Sequence, residues 1–192
     1  MPLAEKIEKK YTYKDYLTWN DDERWEIING KVYSMTPAPK IKHKIISRNF
    51  VWKFGEQKNK LKNCQLFEAP TDVVFDDENV VQPDILIVCD KNKITENCIK
   101  GAPDLIIEIV SENTELKDKR EKFLLYEKFG VKEYIIVFPD REYLERYVLE
   151  NKKYSAPEIF NWDEEFSFKI FNIKINLWEI FEKEKPEKGE KK

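Results

Sequence analysis

Residues 105–110 read Leu-Ile-Ile-Glu-Ile-Val, an apolar run interrupted by one carboxylate, Glu108. Such a run fits a strand covered on both faces. A charge there is costly unless it is paired, hydrogen-bonded or metal-bound. A second apolar run, residues 85–89, opens on Asp84 behind Pro83. Lys122 lies downstream of Glu108, in a stretch with helical periodicity. Two acids and a lysine on apolar elements are the parts of a metal-dependent hydrolytic site. Asp84 and Glu108 would supply oxygen ligands to Mg²⁺, or to Mn²⁺ in its place, with waters completing the shell. The ion would lower the pKa of a bound water and polarise a phosphoryl oxygen. The lysine would orient the nucleophile or stabilise the developing charge.

Each residue has a plainer reading. An aspartate after a proline commonly caps a strand end or bonds a neighbouring turn. Asp104 also follows a proline and precedes Glu108 by four, which puts both on one strand face. It competes with Asp84 as a ligand. Lys122 is decided by periodicity. With Asp118 at zero on a helix of about 100° per residue, Phe123, Tyr126, Phe129 and Leu125 form an arc centred near 55°, and Lys122 falls at about 40°. A lysine inside that arc either meets a carboxylate, Glu108 being the candidate, or snorkels past its neighbours to water.

Residues 40–62 carry Lys40, Lys42, Lys44, Arg48, Lys53, Lys58, Lys60 and Lys62 against one acid, Glu56. This is the one concentrated basic feature. Lys42, Lys44 and Arg48 are candidate contacts to a DNA backbone, which such charge attracts; a solvated face is the alternative. His43, the single histidine, lies in the same stretch and is either structural or catalytic.

The elements that must position these residues follow from punctuation and period. The 192 residues are 41% hydrophobic and 37% charged, enough for one domain with a real core and a polar surface. We read residues 1–181 as that domain and 182–192, built only of Glu, Lys, Pro and Gly, as a disordered tail. Residues 1–10 read as a charged, frayed start. A short helix at 12–19 begins with capping-box spacing between Thr12 and Asp15. Asn29-Gly30 marks a hairpin of strands 24–28 and 31–35. A helix follows over 40–62, weakened by Gly55. Strands are expected at 65–75 and 80–88 around an acidic turn, then a polar loop over 90–102. Strand 104–110, the capping run 111–114, a helix over 115–129 ending at Gly130 and a strand at 133–138 make a βαβ unit. A hairpin at 142–149 and 152–155, a strand within 166–175 and a short helix after Asn176 complete the reading.

The exclusions are equally direct. The net charge of −3 advertises no global attraction to nucleic acid, so any DNA contact must come from a local patch. No apolar stretch of about 18 residues spans a membrane, and the first residues lack a signal-peptide core. Cys64, Cys89 and Cys98 have no metal-type spacing, which points to reduced thiols and a cytoplasmic protein. No P-loop or GxGxxG occurs, so no organic cofactor is expected.

Together, Glu26-Ile-Ile-Asn-Gly30, Met35-Thr-Pro-Ala-Pro39 with His43, Gln82-Pro-Asp84, residues 102–111 and Asp118 to Tyr126 resemble the bacterial putative restriction endonuclease family of the PD-(D/E)XK nuclease-like superfamily. The resemblance runs from about residue 12 to 180. It implies an α/β, restriction-endonuclease-like core, a mixed central β-sheet flanked by helices, here with an added N-terminal hairpin. It matches Asp84 to the motif aspartate and Glu108 to the second acid. The superfamily lysine belongs two residues after that acid, where this chain has Val110. The resemblance therefore selects Lys122 as a lysine migrated to the following helix. Glu26 and His43 match recurrent positions and join the candidate catalytic set. A homodimer is implied too; Phe160, Trp162 and Trp178 are either interface aromatics or part of the core. Three functions compete: a Mg²⁺-dependent DNA endonuclease, a catalytically silent module of nuclease fold that binds nucleic acid or protein, and a phosphodiesterase acting on something other than DNA.

Overall fold

The computed structural model describes residues 9–19, 23–35, 38–111 and 115–187. Pro37, the capping residues 112–114, residues 1–8 of the frayed start and residues 188–192 of the tail lie outside them.

The short helix α1 (Tyr13–Tyr16) forms with the Thr12–Asp15 capping box in place. Strands β1 (Trp25–Ile28) and β2 (Lys31–Ser34) pair as an antiparallel hairpin. Asn29 and Gly30 take φ of 52° and 76° at its turn, the double left-handed conformation that Asn-Gly supplies at low cost. Helix α2 (Ile41–Glu56) buries Ile46, Phe50 and Phe54 on one face. It ends earlier than its charge pattern suggests; residues 58–61 form a separate 3₁₀ turn.

The next stretch corrects the sequence reading. Two long strands were expected, and four short ones form: β3 (Gln65–Glu68), β4 (Val73–Asp76), β5 (Asn79–Val81) and β6 (Ile85–Val88). The breaks fall at the cis Ala69-Pro70 bond and at Gln82-Pro83, because proline has no N–H to give a ladder. Strand β7 (Ile99–Lys100) lies in the expected polar loop. Strand β8 (Leu105–Ile109) is followed by α3 (Glu115–Lys117), a π-helical turn (Asp118–Lys122) and α4 (Phe123–Phe129). Gly130, at φ 85°, ends α4. Strand β9 (Glu133–Phe138) then lies parallel to β8, completing the βαβ unit. Strands β10 (Tyr143–Glu150) and β11 (Lys153–Tyr154) form the expected hairpin. β12 (Glu158–Asn161), unforeseen, pairs with β10. The single strand expected within 166–175 is instead a hairpin of β13 (Glu165–Ser167) and β14 (Lys174–Asn176). α5 (Leu177–Ile180) follows Asn176.

Two larger sheets result. The five-stranded one runs β2-β1-β5-β4-β7, and the seven-stranded one runs β11-β10-β9-β8-β6-β3 with β12 beside β10. On one face of the larger sheet, Leu105, Ile107 and Ile109 meet Phe50 and Phe54 of α2 with the β13–β14 hairpin. On the other, Leu86, Ile106 and Val110 meet Tyr126 of α4 and Val73 and Val81 of the smaller sheet. Fully burying each such side chain contributes about 1.5–3 kcal/mol. Phe160 and Trp162 are partly buried and pack against the α2 side of this core.

Cys64 and Cys89 form a disulfide, which corrects the reading of three reduced thiols; only Cys98 is free, and it is buried. The β3–β6 register places Gln65 opposite Val88, so one step further sets the two cysteines face to face. Protein prepared without reductant and unfolded in guanidinium should therefore titrate one thiol rather than three. Reduction should lower stability by about 3 kcal/mol for a loop of this length, read from denaturation midpoints with and without reductant.

Candidate active site

Two strands from opposite sides of a chain crossing create the site. The chain leaves the smaller sheet at β5, passes through Gln82-Pro83-Asp84 and enters the larger sheet as β6. β6 pairs antiparallel with β8 in the register Ile85↔Ile107, Leu86↔Ile106. One further step places Asp84 opposite Glu108. Cross-strand partners share a face, and here it is the face covered by α4 and β1. Asp84, Glu108, Asp118, Lys122 and His43 all line one cleft of about 190 Å³, with Met35, Pro39 and Pro139 at its apolar margin.

The contacts are specific. Lys122, 2% exposed, sits with Nζ 2.8 Å from Glu26 Oε1 and 2.9 Å from Glu108 Oε1. The buried-partner reading of this lysine is the one realised. Tyr126 donates its hydroxyl to the same Glu108 oxygen at 2.6 Å. Glu26, on β1 and fully buried, accepts from Lys117 at 2.7 Å and from the Gln82 backbone N–H at 3.1 Å. Asp84 Oδ2 accepts from the Ile109 N–H at 2.7 Å and lies 3.1 Å from His43 Nε2. The second oxygens, Asp84 Oδ1 and Glu108 Oε2, take part in none of these contacts.

The electrostatics follow from counting. Four carboxylates (Glu26, Asp84, Glu108, Asp118) gather round two ammonium groups, Lys117 and Lys122. The rest of the cleft lining adds Arg24, Lys40, Lys42 and Asp140. Burial pushes Glu108 up to about 8; Lys122 opposes the rise, and Asp118, Asp84 and Glu26 add to it. Burial likewise raises Asp118 to about 6. Glu26 goes the other way: burial works against its charge, but two lysines hold it below the ordinary carboxylate range. Lys122 stays charged despite its burial, because Glu108, Glu26 and Asp118 surround it.

Of the residues singled out in sequence, Asp84, Glu108, Lys122, His43 and Glu26 converge. Lys42 also lines the cleft and reaches Glu142 at 3.4 Å. Lys44 and Arg48 lie on the exposed face of α2, with Arg48 paired to Glu182. Asp84 lines the cleft, whereas Asp104 accepts from the Cys89 N–H and from Lys132 and is not among the lining residues. Lys117, Asp118 and Tyr126 were not chosen from sequence. Asp118 sat near the arc of Lys122, and the tyrosine hydroxyl was hidden among apolar positions; Lys117 gave no signal. Among the described residues, no group of three or more His, Cys, Asp or Glu is arranged to hold a metal ion.

A family model described as "Uma2: Putative restriction endonuclease" matches residues 13–177. The chain belongs to the Uma2 family. Its fold is shared with the crystal structure of "a putative nuclease belonging to DUF820" from Anabaena variabilis ATCC 29413, at a TM-score of 0.74. That match covers 89% of this chain and 97% of the other at 20% identity, so it speaks for the fold alone. An uncharacterized protein of Synechocystis sp., slr1290, is 26% identical over 120 residues. The match spans 61% of this chain and 62% of that relative. The family and the mixed α/β fold expected from sequence are thus both found. Among the described residues, no helix is long and apolar enough to cross a membrane.

Two outcomes are expected of this Uma2 site. Removing one member of a buried pair costs about 3–5 kcal/mol. Glu108→Gln with Lys122→Met should cost less than the two single changes added, by about 0.5–3 kcal/mol; additive urea midpoints would show that the pair does not interact. The second outcome is a pH dependence. A carboxyl whose folded pKa is raised contributes stability below its unfolded pKa, and loses it as pH rises through the folded value. For Glu108 that window runs from about 4.5 to about 8. The intact protein should therefore lose melting temperature between pH 5 and pH 8 more steeply than Glu108→Gln does.

Proposed function

We propose that this Uma2-family chain is a Mg²⁺-dependent DNA endonuclease. The observation that carries the reading is Asp84 facing Glu108 across β6–β8 in one cleft, with the Lys122 ammonium on Glu108. The donor set suits a hard divalent cation: Asp84 and Glu108 are carboxylates that each keep one oxygen outside the contacts described above. Asp84 and Glu108 would hold the ion, and Mn²⁺ would substitute. Because Mg²⁺ binds through one or two carboxylates and keeps several waters, a pair of acids is enough. The bound ion would supply an activated water and a polarised phosphoryl oxygen.

The chain's own residues divide the remaining work. The Ile109 N–H and His43 hold Asp84 by Oδ2 and so fix its orientation. Glu26 keeps Lys122 ionised and in the cleft. Lys122 presents a positive charge where the scissile phosphate gains negative charge. Lys42 stands at the mouth, and Lys44 and Arg48 continue the positive charge along exposed α2, a track for a phosphate backbone.

The test is cleavage of supercoiled plasmid. Nicking or cutting should appear with Mg²⁺ or Mn²⁺ and be absent with Ca²⁺, whose longer, looser coordination does not assemble the same geometry. Asp84→Asn and Glu108→Gln should each reduce cleavage to background with DNA binding retained. Lys122→Ala should slow the chemical step by roughly 10²–10³-fold while metal still binds. Lys44→Ala with Arg48→Ala should weaken binding and make its salt slope shallower by about 0.9 for each phosphate no longer neutralised. Cleavage that persists in the double variant lacking both acids would mean another site or a contaminant. No cleavage of any DNA under any metal would leave the non-catalytic binding module as the better reading.

A further inference from the structure

Asp118 is 3% exposed, and its Oδ1 has no hydrogen-bond partner. Its main chain is pinned: its carbonyl accepts the Tyr134 hydroxyl at 3.1 Å. The π-helical turn Asp118–Lys122 holds this carboxylate on the same side as the lysine four residues on, and such turns recur at functional sites. Lys122 Nζ stands 3.6 Å from Asp118 Oδ1, too far for a good hydrogen bond. An ammonium carries three donors, and two are spent on Glu26 and Glu108. This buried carboxylate oxygen is in ion-pair range of a cation with a spare donor, and a small side-chain movement would complete the hydrogen bond it lacks.

Glu108 meets both Lys122 and Tyr126 through Oε1. A divalent ion on the same carboxylate would stand close to the Lys122 ammonium and repel it. We propose that Asp118 is the second seat of Lys122. As Glu108 turns to the metal with Asp84, the ammonium shifts from Glu108 Oε1 to Asp118 Oδ1 and keeps its bond to Glu26. Asp118 is then a positioning residue that touches neither metal nor substrate. It lets Lys122 stay charged, buried and beside the phosphate instead of competing with the ion. The flexible four-carbon stem of lysine permits the move, while the pinned backbone of Asp118 keeps the seat in place. The inference rests on the metal reading of the preceding section.

Calorimetric titration with Mn²⁺ tests it, on the intact protein, Asp118→Asn, Lys122→Met and the two combined, with melting temperatures taken alongside. Asp118→Asn should weaken Mn²⁺ binding by about tenfold or more, the usual effect of losing a group that orients a metal ligand. Lys122→Met should not weaken it, since the competing cation is gone. In the Lys122→Met background, Asp118→Asn should have no further effect. If Asp118→Asn does not fold, Asp118→Ser, which also removes the charge, takes its place. Wild-type affinity in Asp118→Asn overturns the proposal. So does an equal loss with and without Lys122, which would make Asp118 a direct ligand. An intact protein that takes up no Mn²⁺ sinks the metal reading and the second seat together. Uptake that is indifferent to Asp118 sinks the seat alone.

Discussion

The Lys122 ammonium is the contact on which the arrangement of this molecule depends. It ties β1 of the smaller sheet, through Glu26, to β8 of the larger sheet, through Glu108, and both to the π-helical turn that carries it. None of these charges would be tolerable alone at such burial. Together they offset one another incompletely, and the incomplete part is what makes the cleft chemically interesting. Glu26, with two lysines, stays ionised; Glu108 and Asp118 share one and are driven toward their protonated forms. Pairs of acids whose environments push them apart are characteristic of working sites. A metal ion is one way to relieve the excess, and it would do so by displacing protons.

Burial of a charge is not by itself a sign of function here. Glu133 is also fully buried, yet its carboxylate accepts the backbone N–H groups of Lys169 and Ile170 and pins the end of the β13–β14 hairpin to β9. Asp104 does similar service between Cys89 and Lys132. Those acids are satisfied by structure and are not among the residues that line the cleft. Asp84, Glu108 and Asp118 differ in lining a shared cavity. The reason lies in the chain path. Gln82-Pro83-Asp84 crosses between sheets, so β6 starts where the two sheets part, and the start of one strand meets the end of its antiparallel neighbour at that opening.

The local features were legible in sequence. Asn29-Gly30 dictated its turn, Thr12 and Asp15 their capping box, and the apolar run around Glu108 its strand, helix and parallel return. The helical period puts Lys122 on the arc of Phe123, Leu125, Tyr126 and Phe129, while its choice between a carboxylate and water rests on the neighbouring strand. These outcomes need only contacts a few residues apart or the burial of one face. What sequence left open was every choice that depends on a distant partner. It could not separate Asp84 from Asp104, since both are aspartates after proline at a strand start. It joined β3 to β4 and β5 to β6, since an apolar run does not say which sheet each half enters. It read the cysteines as three thiols, since their proximity comes from the β3–β6 register. It saw Asp118 only as a polar neighbour of Lys122, since a buried oxygen without a hydrogen bond is a property of the surroundings. Pairing register and the meeting of two sheets are set by packing across the whole chain, and in this protein that packing decides which acids share a cleft.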